Sequence, residues 1–337
     1  MNNLLDPAIL FFVLGVSAGL LRSKLEIPPA ISRFLSLYLL MALGLKGGFA
    51  LAKSGLTAEV ATSLACAVAL ALMIPALGYL LLRRFLPGFD AAAIAATYGS
   101  VSAVTFVTAV QALEHQQIAH GGHMAAAMAL MESPAIIMAV LLANRLRQQA
   151  APVGVTAGGA GVLALGGPGA AGPGSSWRRI LHESFTDGAQ LLLLGAMAVG
   201  MLSGEAGKAA MQPFSGDLFK GMLAFFLLDM GLMTARNLPQ LRGLSPWLIA
   251  YALLGPLAHA ALALAAAWVL GISAGDATLL MVLAASASYI AVPAVLRDAI
   301  PEARPSLYFG LSLGVTFPFN LIVGIPLYTS LAQAALG

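Results

Sequence analysis

The chain has 337 residues, of which 60% are hydrophobic and 9% charged, and its mean hydropathy is +0.90. That composition excludes an ordinary soluble globular protein and points to an α-helical membrane protein with many spans. The net charge of +3 is too small and too dispersed for a nucleic-acid surface, and the single Cys66, inside an apolar run, excludes a disulfide framework or a thiol–metal site.

Apolar runs predict ten spans in chain order, at 4–22, 29–52, 58–82, 90–113, 124–145, 184–204, 215–236, 245–270, 275–298 and 304–334. The first has no basic segment before it, only Arg22 and Lys24 after it, so no cleavable signal is expected. Arg22, Lys24 and Arg33 border the gap after span one, and Arg83 and Arg84 follow span three. Arg145, Arg147, Arg178 and Arg179 follow span five, Arg236 and Arg242 span seven, and Arg297 and Arg304 bracket the gap after span nine. Lys46, Lys53, Lys208 and Lys220 fall towards the other face. The positive-inside rule then puts the odd-numbered gaps in the cytoplasm and both termini outside.

Residues 148–177 carry no charge, nine glycines and prolines at 152, 168 and 173, a composition expected of a flexible cytoplasmic linker. The chain therefore divides into a first five-helix repeat (1–147), a linker (148–182) and a second five-helix repeat (183–337). An odd number of spans per half forces the second half to insert upside down.

The halves match in several places. Ser100-Val101-Ser102 and Ser286-Ala287-Ser288 lie 186 residues apart, each in an apolar run beside a helix-breaking residue, Gly99 or Pro293. Asp6-Pro7 with Gly15 and Gly19 resembles Asp187-Gly188 with Gly195 and Gly200. The run from Leu39 to Leu45 aligns with Phe226 to Leu232 at an offset of 187, and Glu132-Ser133-Pro134 stands opposite Pro318-Phe319-Asn320. Spans four and nine are thus expected to be broken helices that meet at the membrane midplane. There their positive N-terminal ends can face an anion.

Ionisable residues inside a span usually mark function because burying a charge in lipid is costly. Glu132, Asp229, Lys46 and His259 are the candidates. Glu132 precedes Ser133-Pro134, where the proline frees a backbone carbonyl. These hard oxygens suit an alkali cation, and Asn320 offers an amide oxygen at the matching place. Asp229 and Lys46 occupy nearly equivalent positions and could form a structural ion pair. His259, behind Pro256, reads as a hydrogen-bonded packing residue. One serine pair alone would read as small-residue packing. Two clusters at equivalent sites, extended by Thr105 and Thr108 in one half and Tyr289 in the other, read as hydroxyl donors for a small oxyanion. Every arginine falls at a span end, so the anion would not be held by full charge pairing.

At these residues the chain resembles the sodium-dependent bicarbonate permease family, the SbtA type. The stretches that carry the resemblance run from Tyr98 to Phe106, from Ala285 to Ala294 and from Phe226 to Leu232, with Glu132 to Ala135 as a shorter element. It extends over both halves and is weakest in the linker. The resemblance implies a core domain and a gate domain built from inverted five-helix repeats, a homotrimer, sodium-coupled import of bicarbonate and a PII-like cytoplasmic regulator. By position, it places the anion at Ser100, Ser102, Thr105, Ser286, Ser288 and Tyr289. Sodium is expected at Glu132, Asn320, Asp229 and Thr108, as coupling ion and not as a resident cofactor. The Ala- and Gly-rich composition fits a bacterium of high GC content, hence a multi-pass protein of the bacterial inner (plasma) membrane.

Three other readings compete. A sodium-coupled symporter of another small organic or inorganic anion would share every feature above. A cation/proton antiporter would place paired carboxylates in spans four and nine, which have none at mid-span. An intramembrane serine protease needs a Ser–His dyad. Only His259 could serve Ser100 or Ser288, and neither serine sits in a G-x-S-x-G turn.

Overall fold

A computed structural model describes residues 6–55, 57–150, 188–241 and 243–337, and among them the chain is helical with no strand. Most of the expected 148–182 linker lies outside the described residues. Helices α1 (Pro7–Leu20), α2 (Pro29–Ser54) and α3 (Ala58–Leu82) come first. They are followed by α4 (Gly88–Gly99), α5 (Ala103–His115) and α6 (Met124–Ala150), which runs three residues into the expected linker. In the second half come α7 (Gly188–Gln212), α8 (Leu218–Asn237) and α9 (Pro246–Leu270). Two short helices, α10 (Ala274–Ala285) and α11 (Ala291–Ala299), precede α12 (Pro305–Leu336), a long helix with two π-turns.

Local chemistry sets these boundaries. Asp6 caps α1 by accepting from Ala8 N at 2.8 Å, with Pro7 at the first helical position. Thr57 and Ser273 cap α3 and α10 in the same way. Gly271, at φ 67°, closes α9 in the left-handed region that glycine enters without strain.

Among the described residues seven helical stretches are long and apolar enough to cross a membrane, and α1 and α10 are shorter apolar helices. One of the seven, Leu191–Asn237, spans 47 residues, or about 70 Å if straight, over twice the ~30 Å apolar core of a bilayer. It is not straight. Gly204 leaves helical geometry (φ 55°, ψ −144°) and a π-turn at Pro213–Asp217 separates α7 from α8. Large apolar side chains stay exposed on the outer faces, among them Leu14, Leu80, Leu202 and Trp268, as a lipid-facing surface requires.

The helices form two packed groups. In the first layer α1 lies along α8, and α2 along α7. Both contacts depend on glycine. A Cβ on Gly15 would stand 2.2 Å from the Leu228 carbonyl oxygen and 3.1 Å from the Gly231 Cα, and a Cβ on Gly48 would stand 2.1 Å from the Met197 oxygen and 2.9 Å from the Gly200 Cα. The second group packs α3 against α4 and α6, and α10 against α5, α9 and α12. Its centre is α4 and α10, buried from Asp90 to Gly99 and from Gly275 to Ala285. Their alanine-rich faces let backbones approach closely where lipid offers no hydrophobic drive.

Candidate functional site

The two serine pairs are where the helices stop. Helix α4 ends at Gly99 and α5 begins at Ala103, while α10 ends at Ala285 and α11 begins at Ala291. Ser100 (φ −97°, ψ −177°) and Ser286 (φ −79°, ψ 164°) are extended, and the two interruptions cross. Ser102 N donates to Ser286 Oγ at 2.9 Å, and Ser288 N donates to the Thr97 carbonyl at 2.9 Å. Breaking a helix strands backbone groups, and here each break supplies partners to the other.

Ser102 and Ser288 do the same work in the two halves. Ser102 Oγ accepts from Thr105 N at 3.3 Å and from Thr105 Oγ1 at 2.9 Å, capping α5. Ser288 Oγ accepts from Val292 N at 3.2 Å, within the first turn of α11. Pro293, in that same turn, has no N–H to leave unpaired.

A cavity of about 80 Å³ opens at these helix starts. Residues 101–104 and 288–291 line it, together with Glu132 of α6; Ser36, Leu40, Ala189 and Leu193 of the first layer close it. It therefore lies on the seam between the two groups of helices. The N-termini of α5 and α11 both border it, so two helix dipoles give it a positive lining without a cationic side chain.

Of the six expected anion residues, Ser102, Ser288 and Tyr289 line this cavity. Ser286 and Thr105 stand behind, holding Ser102 by its N–H and its hydroxyl. Ser100 is buried at the crossing, and its hydroxyl has no hydrogen-bond partner among the described residues. Tyr289 packs its ring on Phe317, with centroids 5.1 Å apart, and its hydroxyl lies beside Ser102.

The four expected sodium residues do not converge. Glu132 lines the same cavity as the serines, whereas Thr108 lines a second one of about 110 Å³. Asn320 donates through Nδ2 to the Ala285 carbonyl at 2.8 Å and accepts from Tyr328 Oη at 2.9 Å, fixing the end of α10. Asp229 belongs to the first layer, beside Ser32. The structural ion pair that Asp229 and Lys46 could have formed is not present among the described residues. Lys46 faces across to α5 and binds Glu114 at 3.0 Å. His259 is buried against the Ala284 backbone, in keeping with a packing role.

The sequence reading missed two aspartates 186 residues apart, Asp90 and Asp276. Asp90 Oδ1 accepts from Arg304 N at 2.8 Å, and its Oδ2 accepts from Arg304 Nε and Nη2 at 3.0 and 2.9 Å. Asp276 Oδ1 accepts from Gly121 N at 2.6 Å, with His123 Nε2 at 3.7 Å from Oδ2. Each pins the loop that follows the other half's broken helix. The common offset was the signal, but both residues sit at span starts and a search for mid-span charges passes over them.

The four lysines set apart by the sequence meet around one large cavity of about 770 Å³. Lys46 and Lys208 are compensated, by Glu114 and by Glu205 at 3.9 Å, while Lys53 and Lys220 have no ion pair among the described residues. The cavity's inner wall includes Phe106, one turn along α5 from Ser102.

No curated protein matches the chain. The profile of the Na+-dependent bicarbonate transporter superfamily matches residues 7–333, and over nearly its whole length this multi-pass membrane protein thus belongs to that superfamily.

Proposed function

We propose that the protein is a Na+/HCO3− symporter working by alternating access, with the anion in the cavity between the starts of α5 and α11. The observation that carries this is the convergence of two helix N-termini, Ser102, Ser288 and Tyr289 on about 80 Å³ of space. A three-oxygen anion needs several donors and little room. Backbone N–H groups and hydroxyls supply the donors at modest charge, so the anion is also able to leave. Glu132, on the same wall, is the group we assign to Na+ beside the anion; a carboxylate there without a cation would repel the substrate. The size of the cavity disfavours a sterol-like or other bulky carboxylate, which leaves other small anions as the alternative.

Sodium coupling also fits the energetics. Moving one HCO3− into a negative-inside cell costs about 2.3 kcal/mol per 100 mV, and one Na+ moving with it cancels that electrical cost. The lysine-lined cavity would concentrate anions at the mouth on the outer face.

Ten passes in two inverted five-helix repeats account for the paired contacts. Exchanging the halves turns the Gly15–Gly231 contact of α1 and α8 into the Gly48–Gly200 contact of α7 and α2. This register matches Gly48 to Gly231, one helical turn on from the sequence alignment of Gly44 with Gly231. The first layer takes the part of the gate and the second that of the core. Inner-membrane location with both termini outside follows from the arginine distribution; the trimer and a PII-like regulator rest on the family resemblance.

The test is uptake of radiolabelled bicarbonate into proteoliposomes, with Na+ replaced by K+ in the control and candidate anions added as competitors. Uptake that persists without Na+ would refute the coupling. Competition by another anion at concentrations where bicarbonate fails to compete would reassign the substrate.

A further inference from the structure

The second cavity, of about 110 Å³, is left unused by the anion reading. It lies between the start of α1, the outer turns of α5 and α12, and its polar wall is Asp6, Thr108, Gln111 and His115. Thr108 and Gln111 are 5% and 6% exposed. The Thr108 hydroxyl gives its proton to the Val104 carbonyl at 2.8 Å, so its lone pairs remain free to accept. The Asp6 carboxylate uses Oδ1 to cap α1 and takes no other hydrogen bond among the described residues. Gln111 Oε1 is buried with no partner. Gln111 lines the cavity and its amide makes no hydrogen bond among the described residues, so either amide orientation is open to it at no cost in hydrogen bonds.

A buried amide without a partner calls for a ligand. One carboxylate, one hydroxyl and one amide oxygen are hard donors carrying a single negative charge. Divalent cations of the Ca2+ type take six to eight oxygens, usually with several carboxylates. Among the described residues no three His, Cys, Asp or Glu side chains gather for a metal. The remaining class is a monovalent alkali cation. We infer that Asp6, Thr108 and Gln111 form an alkali-cation site, for Na+ on the symport reading above, that bridges the two layers. Asp6 belongs to the first layer and the other two to α5 of the second. Thr108 lies six residues, about 9 Å, along α5 from Ser102. A cation there ties to the first layer the same helix whose N-terminus faces the anion, and the site is complete only while the layers keep this arrangement.

The experiment is thermal unfolding of the full-length purified chain during a Na+ titration without bicarbonate, choline chloride holding ionic strength constant. Wild-type protein should show a saturable rise in unfolding temperature that K+ reproduces weakly or not at all. Asp6→Asn, which keeps the helix cap, and Gln111→Leu should each raise the half-saturating Na+ concentration at least tenfold. Thr108→Val serves where either variant fails to fold. Wild-type protein blind to Na+, or variants that titrate like it, would overturn the site. Sodium dependence of bicarbonate uptake separates this inference from the reading beneath it. If wild-type uptake needs Na+ and the variants titrate with Na+ like wild type in unfolding, the site is wrong and symport stands with Na+ at Glu132. If wild-type uptake ignores Na+, symport fails and the unfolding titration still decides whether the site binds the ion.

Discussion

Asp90 and Asp276 hold equivalent places and perform equivalent tasks with unequal strength. Asp90 gives both oxygens to one arginine, accepting two hydrogen bonds from its guanidinium and one from its backbone N–H. Asp276 holds its loop by one backbone N–H, with a histidine ring nitrogen beyond hydrogen-bond reach at 3.7 Å. The loop on Asp276 is also the one whose Gly121 borders the lysine-lined cavity. One end of the second group of helices is therefore fastened, and the other is lightly held beside the lysine-lined cavity. Two loops tied at matching points of the helix pair are thus held with unequal strength.

The crossing between these ends is where the comparison breaks most completely. Ser102→Ala removes the acceptor for Thr105 N and a lining hydroxyl, and Ser288→Ala does the same to α11. Sodium-driven bicarbonate uptake should fall at least 100-fold in either variant while the protein still purifies as a folded species. Equal uptake by both variants and wild type would remove the anion site from the crossing.

Next in size is a glycine that only one half requires. Gly99 ends α4 with the Pro75 ring of α3 so close that a Cβ would meet it at 2.5 Å; its counterpart Ala285 ends α10 with its side chain fully buried. Gly99→Ala should cost about 1–3 kcal/mol through overpacking, and Ala285→Gly about 0.5–1 kcal/mol through lost helix preference. Unfolding of the two variants side by side checks the order. A harmless Gly99→Ala would mean that α3 yields at Pro75.

The fastenings themselves come third. Asp90→Asn leaves the Arg304 guanidinium without its charged partner and should cost about 1.5–3 kcal/mol, the range for hydrogen bonds to charged groups. Asp276→Asn keeps one acceptor for Gly121 and should cost about 0.5–1.5 kcal/mol. Equal losses would show that the two ends are held alike.

What the sequence shows follows from the range of the interactions. Among the described residues the expected apolar runs fall on helix because apolar runs and caps act within a few residues, and both breaks fall at the serine pairs. The pairing of Lys46 was not readable. Both Asp229 and Glu114 are acidic, and only the packing of α2 against α5 decides between them. The sodium residues failed to converge for the same reason, since Asn320 is consumed by Ala285 and Tyr328, neighbours that no spacing reveals. Gln111 escaped notice altogether, because an amide in a helix says nothing until its surroundings prove empty of partners.

The smallest effect belongs to a pair outside the membrane, at the fastened end. Arg147 donates to both carboxylate oxygens of Glu302, at 2.7 and 2.8 Å, and to the Ala299 carbonyl at 2.8 Å. The guanidinium hydrogen bonds hold the Glu302 carboxyl below the usual carboxylate range. A carboxylate whose pKa is depressed on folding contributes above its unfolded pKa of about 4.3, and the contribution is lost as pH falls through the lower folded value. Both side chains are more than a third exposed, so solvent and salt screen the pair. Glu302→Gln should therefore lower the unfolding temperature only slightly at pH 7, less than Asp276→Asn does, and the difference from wild type should vanish in acid and shrink in high salt. A difference that grew on acidification would place the pair's contribution elsewhere than in its charge, and the fastened end would then owe its strength to Asp90 alone.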